Sequence, residues 1–252
     1  MNPRQKAIIE ILRTHNKMSV HDLAETFEVS DETIRRDLKY LESRKLLVRL
    51  HGEAMINSAH IRELEYQARS GENHYLKYEA GQLAKDLIHD GDSIAISNGT
   101  STYEIAKAIT EKQNLTVITN SILIAGELLE NDSNQIIVIG GKLRKQGMGT
   151  SGSISSKFLS NFRVDYGIIS VGGISLEQGV TDFTLEEAML FRTILSIAKK
   201  KIVVADSTKF GKSGLCKVCE VEEIDILLSD SELSSGLIKQ YREIGIDVIV
   251  PT

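Results

Sequence analysis

From Lys77 onward, short β-branched runs alternate with amphipathic helical stretches, and this alternation restricts the chain to one broad class of fold. The runs are Ser93–Ser97, Leu115–Thr119, Gln135–Ile139, Tyr166–Val171, Lys201–Ala205, Asp225–Ser229 and Asp247–Val250. Helical patterns fill 77–89, 102–112, 121–131, 185–199 and 231–244. Strand alternating with helix marks a sheet whose strands run mostly parallel and whose two faces are both covered. The expectation is therefore an α/β architecture, an open sheet of about six or seven strands.

Open sheets of this kind bind ligands beyond the carboxyl ends of their strands. The residues after the runs are chemically alike: Asn98, Gly99, Thr100, Ser101 and Thr102 after the first, Asn120 and Ser121 after the second, Gly140 and Gly141 after the third. Gly172 and Gly173 follow the fourth, and Asp206 to Gly211, including Lys209, the fifth. Glycine lets backbone N–H groups approach an anion, hydroxyls donate to it, and a following helix adds its positive end. Each loop alone is explained equally well by the conformational demands of βα turns. Five at one sheet edge predict a polar anion pocket, with Lys209 as a point charge and Asp206 as an acceptor for sugar hydroxyls.

The first 56 residues follow a different plan. Ser19 is placed to cap a short helix with Asp22 at the capping-box spacing, and Leu23, Ala24 and Phe27 share one face of it. After Val29, Ser30 is a second N-cap, followed by Asp31 and Glu32. Ile34, Leu38 and Leu41 then fix a buried side. Thr33, Arg36 and Tyr40 fall away from it, flanked by Arg35 and Lys39. Two short helices with an outward arginine have the layout of a helix-turn-helix reading head for duplex DNA. The apolar, basic stretch from Lys45 to His51 reads as the wing, with Arg49 and His51 set to touch the DNA backbone. The expected organisation is a winged helix-turn-helix over 1–56, a polar linker over 57–76 (partly helical between Ile61 and Arg69), and an effector and oligomerisation domain over 77–252.

Charge sharpens this division. The net charge is −5, which argues against a nonspecific nucleic-acid coat. Residues 1–57 carry ten Lys and Arg against nine Asp and Glu, and the remainder twenty against twenty-six, giving +1 and −6. A nearly neutral head must bind DNA through placed contacts. No apolar run reaches the roughly 20 residues of a membrane span, and no signal-peptide pattern opens the chain, so a cytoplasmic protein is expected. Cys216 and Cys219 form a lone C-x-x-C in an extended stretch, which reads as structural. No metal or cofactor is expected. Gly147, Gly149 and Gly152 spell G-x-G-x-x-G, but without the strand-to-helix context of a dinucleotide site the stretch reads as a flexible loop.

At this point the residues resemble a known family. Val29 to Leu38 (VSDETIRRDL), Leu41-Glu42 and Arg49-Leu-His-Gly52 resemble the N-terminal signature of the DeoR family of regulators. Asp90-Gly-Asp92, Gly99 to Thr102, Leu115 to Ser121, Gly140-Gly141, Val171 to Gly173 and Asp206 to Gly211 resemble its effector domain, which is similar in fold to ribose-5-phosphate isomerases. The resemblance implies a repressor that binds operator DNA and is controlled by a phosphorylated sugar or polyol. It places phosphate at Gly99 to Thr102, with Asn120, Gly141, Asp206 and Lys209 lining the pocket. The chain departs from the pattern at Glu53, where the wing usually has glycine, at Ser97-Asn98, where Asp-Ser is usual, and at Phe191, where lysine is common.

Paired half-sites make a homodimer or higher homo-oligomer the expected state. The rival reading is a sugar-phosphate isomerase carrying a DNA-binding head, with Asp206, Asp182 or Glu187 as the base. No nucleophile is paired with a base in the sequence, which favours binding over turnover.

Overall fold

The computed structural model describes residues 2–15, 17–43, 47–50, 53–56 and 66–251, and divides the chain into two compact units, Met1–Arg62 and Glu63–Thr252. The smaller unit contains α1 (Pro3–His15), β1 (Lys17–Ser19), α2 (Val20–Thr26), α3 (Asp31–Ser43), β2 (Leu47–Leu50) and β3 (Glu53–Ile56). Its core joins Ile8 and Leu12 of α1, Leu23 of α2, and Ile34, Leu38 and Leu41 of α3, all fully buried. The expected caps form. Ser19 Oγ accepts from the Asp22 N–H at 3.0 Å and the Asp22 carboxylate returns the bond, completing a capping box. The wing is an antiparallel β2–β3 pair, extended by β1 on the far side of β3. Buried Asp37 ties α1 to α3, accepting from Arg4 Nε at 2.6 Å and Gln5 Nε2 at 2.8 Å.

The larger unit runs α4 (Tyr66–Gly71), α5 (His74–Gln82), α6 (Ala84–Leu87), β4 (Ser93–Ile96), α7 (Thr100–Ala108), β5 (Thr116–Thr119), α8 (Ile122–Leu129) and β6 (Gln135–Val138). A hairpin of β7 (Lys142–Arg144) and β8 (Gly149–Ser151) precedes α9 (Ser153–Leu159) and β9 (Val164–Ser170). Then come β10 (Gly173–Ser175), β11 (Gly179–Asp182), α10 (Leu185–Ser196), β12 (Ala198–Val204), β13 (Cys216–Cys219), β14 (Ile226–Leu228), α11 (Ser235–Glu243) and β15 (Asp247–Ile249).

All seven predicted runs form one sheet, in the order β15-β14-β12-β9-β4-β5-β6, and every pair in it is parallel. One apolar cluster fills the face under α9, α10 and α11, and a second the face under α5 to α8. From β4 the chain steps outward through β5 to β6, then returns to β9 on the other side of β4 and proceeds outward again. The switch point therefore lies between β4 and β9.

Three features differ from expectation. The small antiparallel sheet of β10, β11 and β13 carries no long alternation, because its strands have three or four residues each. The G-x-G-x-x-G stretch is the turn and return strand of the β7–β8 hairpin rather than a flexible loop. Of the stretch read as a linker, 57–65 lies outside the described residues, while 66–71 and 74–82 are helices, and α5 packs against α7. Cys216 and Cys219 do lie in a strand. An odd spacing there turns them to opposite faces, and burial pushes the Cys219 thiol up to about 12. Among the described residues no helix is long and apolar enough to cross a membrane.

At the amino edge of the sheet, Asp165 joins three strands. It accepts from the Ser93 N–H at 3.0 Å, from Ser93 Oγ at 2.5 Å and from Lys199 Nζ at 2.7 Å. Those bonds, led by Lys199, hold its carboxyl at about 2, against an ordinary 3.8. A carboxylate depressed in the folded state stabilises above its unfolded pKa and loses that contribution as pH falls through the folded value. Asp165→Asn should therefore be less stable than the native chain at pH 7. The gap should close between about pH 4 and about pH 2, as read by urea unfolding across that range.

Candidate functional site

On α3, Ile34, Asp37, Leu38 and Leu41 are buried, so the opposite stripe is fixed by helical geometry. It presents Arg35, Arg36 and Lys39, all exposed. Ser30 and Thr33 stand at the helix start with their hydroxyls 2.9 Å apart. Tyr40 is half-buried at the rim of the core, so it is less available than the sequence suggested. Arg49 of β2 faces solvent but donates through Nε to Glu42 at 2.8 Å, and that guanidinium holds the Glu42 carboxyl below its ordinary range. To grip a phosphate, Arg49 must exchange this partner. His51 lies outside the described residues.

In the larger unit the parallel strands deliver their following loops to one edge. Asn98, after β4, and Asn120, after β5, are buried and pair reciprocally. Asn98 N–H donates to Asn120 Oδ1 at 2.7 Å, and Asn120 Nδ2 donates to Asn98 Oδ1 at 2.7 Å. Asn120 Nδ2 also reaches the Thr150 carbonyl at 2.8 Å. Asn98 Nδ2 donates to the Gly147 carbonyl at 3.3 Å and to Glu187 Oε1 at 3.1 Å. Glu187, buried at the start of α10, is further held by Arg144 of β7 and by the Thr184 hydroxyl at 3.2 Å. The hairpin lies this close because Gly149 is bare: a Cβ there would sit 2.7 Å from the Asn98 side chain.

Gly99 permits another close approach, since a Cβ would fall 2.0 Å from Ser170 Oγ at the end of β9. It leads into Thr100, Ser101 and Thr102, all buried in the first turn of α7. Backbone N–H groups of a first helical turn have no intrahelical acceptor and carry the positive end of the dipole. Between β4 and β9 lies a cavity of about 20 Å³, lined by Arg69, Asn98, Ser170, Val171, Gly172, Asp182, Phe183, Glu187 and Phe191. It has room for about one water molecule.

Asp206, after β12, is fully buried. Its Oδ1 accepts from the Thr208 N–H at 3.2 Å, whereas Oδ2 has no hydrogen-bond partner among the described residues. Lys209 follows in a short 3₁₀ turn, half-buried. Over this loop sits the stretch expected to be a linker. Asn73 Nδ2 donates to Thr208 Oγ1 at 3.3 Å. Arg69 of α4 donates to the Gln146 carbonyl in the hairpin turn at 2.7 Å. Lys77 of α5 is buried and donates to the carbonyls of Arg69, at 2.6 Å, and Glu72. Burial pushes the Lys77 ammonium down, against the opposing pull of Asp206.

The structure thus brings Asn98, Asn120, Gly172 and the Gly99–Thr102 turn together around the switch point. Ser121 instead caps α8, accepting from the Ile124 N–H at 3.3 Å. Gly140 receives the Ser155 hydroxyl on its carbonyl, and Gly141 lies against Ser151 and Ser155, so both shape the hairpin root. Gly173 packs against the Lys212 backbone. Sequence reading missed Arg69, Lys77, Arg144, Gly147, Thr150 and Ser170 as site residues. The paired glycines of the hairpin were the one visible signal. The cations on α4 and α5 gave none, because polar helices and polar linkers share a composition.

Comparison with known proteins yields two family signatures, the DeoR-like helix-turn-helix domain over residues 4–60 and the DeoR C terminal sensor domain over residues 72–231. The chain is similar to the putative aga operon transcriptional repressor of Escherichia coli O157:H7, 32% identical over 249 residues that cover 98% of this chain and 93% of the relative. It is also similar to the glycerol-3-phosphate regulon repressor of Escherichia coli K12, 29% identical over 228 residues and covering 90% of each chain. Among solved structures, a D-ribose-5-phosphate isomerase in complex with phospho-erythronic acid matches 54% of each chain at 15% identity and a TM-score of 0.41, a partial likeness that bears on neither activity nor ligand.

The reciprocal Asn98–Asn120 bonds make a direct prediction. Asn120→Ala leaves the Asn98 backbone N–H and carboxamide oxygen buried without these partners and should cost about 1–3 kcal/mol. Urea unfolding of the variant measures this, and an unchanged midpoint would mean that the pair does not hold the two strand ends together.

Proposed function

The chain belongs to the DeoR family of helix-turn-helix regulators, and on that premise we propose that it represses a carbohydrate-utilisation operon under the control of a phosphorylated sugar or polyol. The exposed Arg35, Arg36 and Lys39 stripe is the observation that carries the DNA half of the reading. Arginine pairs with guanine in two places in the major groove, while Ser30, Thr33, Lys39 and Arg49 suit phosphate. Residues 1–56 form the DNA-binding domain in this reading, and the effector and self-association functions fall to the unit that follows the connector.

The cation-rich strand edge at the switch point carries the effector half. A phosphate fits the Gly99–Thr102 turn at the start of α7. Lys209, Lys77 and Arg69 supply positive charge around the neighbouring strand ends, and the unpartnered Asp206 Oδ2 suits a sugar hydroxyl. Asn120, Ser121, Gly140, Gly141, Gly172 and Gly173 shape the rim. The 20 Å³ cavity is far smaller than the ~300–1,000 Å³ typical of ligand pockets. An effector therefore enters by displacing neighbours, and the Arg69–Gln146 bond between α4 and the hairpin turn is the contact in its way. Displacing α4 offers a route from ligand to reading head, because an effector can shift only an equilibrium whose two states it binds unequally.

Binding is favoured over isomerase turnover by what the carboxylates already do. Glu187 is committed to Arg144, Thr184 and Asn98, and Asp182 Oδ1 accepts from the Phe183 N–H at 2.7 Å. A general base must be within reach of the proton it takes and able to accept it.

Thermal stabilisation against a panel of phosphorylated sugars and polyols, each beside its unphosphorylated form, tests the sensor. A ligand at 100 times its Kd adds about 2.7 kcal/mol. Lys209→Ala should lose that stabilisation and the effector-driven release of operator DNA while keeping operator affinity; normal release in the variant would overturn the pocket. Arg36→Ala should cost about 1–3 kcal/mol on the operator alone if it reads a base. Equal weakening on all sequences, in a competition gel shift, would instead make Arg36 a phosphate contact.

A further inference from the structure

Helices α9 and α10 lie side by side over one face of the sheet, and each is apolar on two sides. Inward, Leu159 of α9 and Leu190, Phe191 and Ile194 of α10 are buried in the core. Outward, Ile154 is 75% and Phe158 43% exposed on α9, and Leu185 is 56% and Met189 45% exposed on α10. Each outward pair is spaced four residues apart and so forms a ridge one turn long. A surface helix requires only one apolar stripe, so packing within this chain explains the inner stripes and leaves the outer ones unaccounted for. Apolar side chains gathered at one surface mark an interaction site.

The charges beside the ridges indicate what covers them. Lys157 stands next to Phe158 on α9 and Glu186 next to Leu185 on α10, both exposed, and neither forms an ion pair among the described residues. The face therefore has one basic and one acidic half. DNA would be repelled by Glu186, whereas a twofold copy of the same face matches both halves, since in an isologous contact each residue pair occurs twice. We infer that the α9–α10 face docks a second copy of this chain, with α9 of one copy lying on α10 of the other. Ile154 and Phe158 then meet the partner's Leu185 and Met189, and Lys157 comes within reach of the partner's Glu186. The need for two copies rests on the DNA-reading proposal, because one short recognition helix reads half a site. The surface itself rests on its own side chains.

The test is the mass of the full chain in solution, by sedimentation equilibrium without DNA or sugar phosphate, so that a failed sensor reading leaves the result untouched. The native chain should self-associate, and Phe158→Asp and Met189→Asp should each weaken association about 30-fold or more, with circular dichroism confirming an unchanged fold. Lys157→Glu should weaken it less, and adding Glu186→Lys should restore it, a rescue that general loss of structure cannot produce. A native chain that stays monomeric at ~100 μM, far above the Kd of an ordinary specific interface, or aspartate variants that keep the native mass, would overturn the proposal.

Discussion

A strand paired in parallel on both sides sends its following loop to the same edge as its neighbours' loops, and the larger unit is organised by that fact. All seven strands of its sheet run one way. The reversal of strand order between β4 and β9 then separates two loops that would otherwise crowd one another. Asn98, Gly99, Ser170 and Gly172 border the gap, and the reciprocal amide bonds between Asn98 and Asn120 brace its β4 side against the next strand. At the opposite edge Asp165 joins β4, β9 and β12, so the strands flanking the switch point are held at both ends.

Polar groups buried at such an edge need partners, and here those come from segments far away in sequence. Glu187 is satisfied by Arg144 across the hairpin and by Asn98 across the strand end. Lys77 is satisfied by carbonyls at the end of α4, which keeps a desolvated ammonium near Asp206. The first helices of the larger unit are in this way part of the pocket wall. Anything that competes for Arg69 or Lys77 acts on α4, the first described element of that unit.

The reading head relies on another economy of charge. Its formal balance of +1 over residues 1–57 gives little long-range attraction for DNA. Burying Asp37 against Arg4 and Gln5, and pairing Glu42 with Arg49, takes two carboxylates away from the exposed stripe of α3. Arg35, Arg36 and Lys39 are left as the local field.

Periodicity and capping chemistry were written in the chain. Ser19 with Asp22, the Ile34, Leu38 and Leu41 repeat, and seven β-branched runs correspond to a capping box, a core stripe and seven parallel strands, because each depends on residues within a turn or two of one another. The family was legible for the same reason, its signatures being contiguous. Other features depended on what lies across a gap. The glycines of the β7–β8 hairpin look like a loose loop until Gly149 is seen against Asn98. The charged stretch before Lys77 reads as a linker until Arg69 and Lys77 are seen over the strand ends. Strand order, and with it the switch point, follows from long-range pairing that no local window contains. The sequence by itself determined the elements, their caps and the two-part plan, since those are local free-energy choices. Only the tertiary structure decided which polar residues share a site, since that is settled by partners more than a hundred residues apart, such as Asn73 and Thr208.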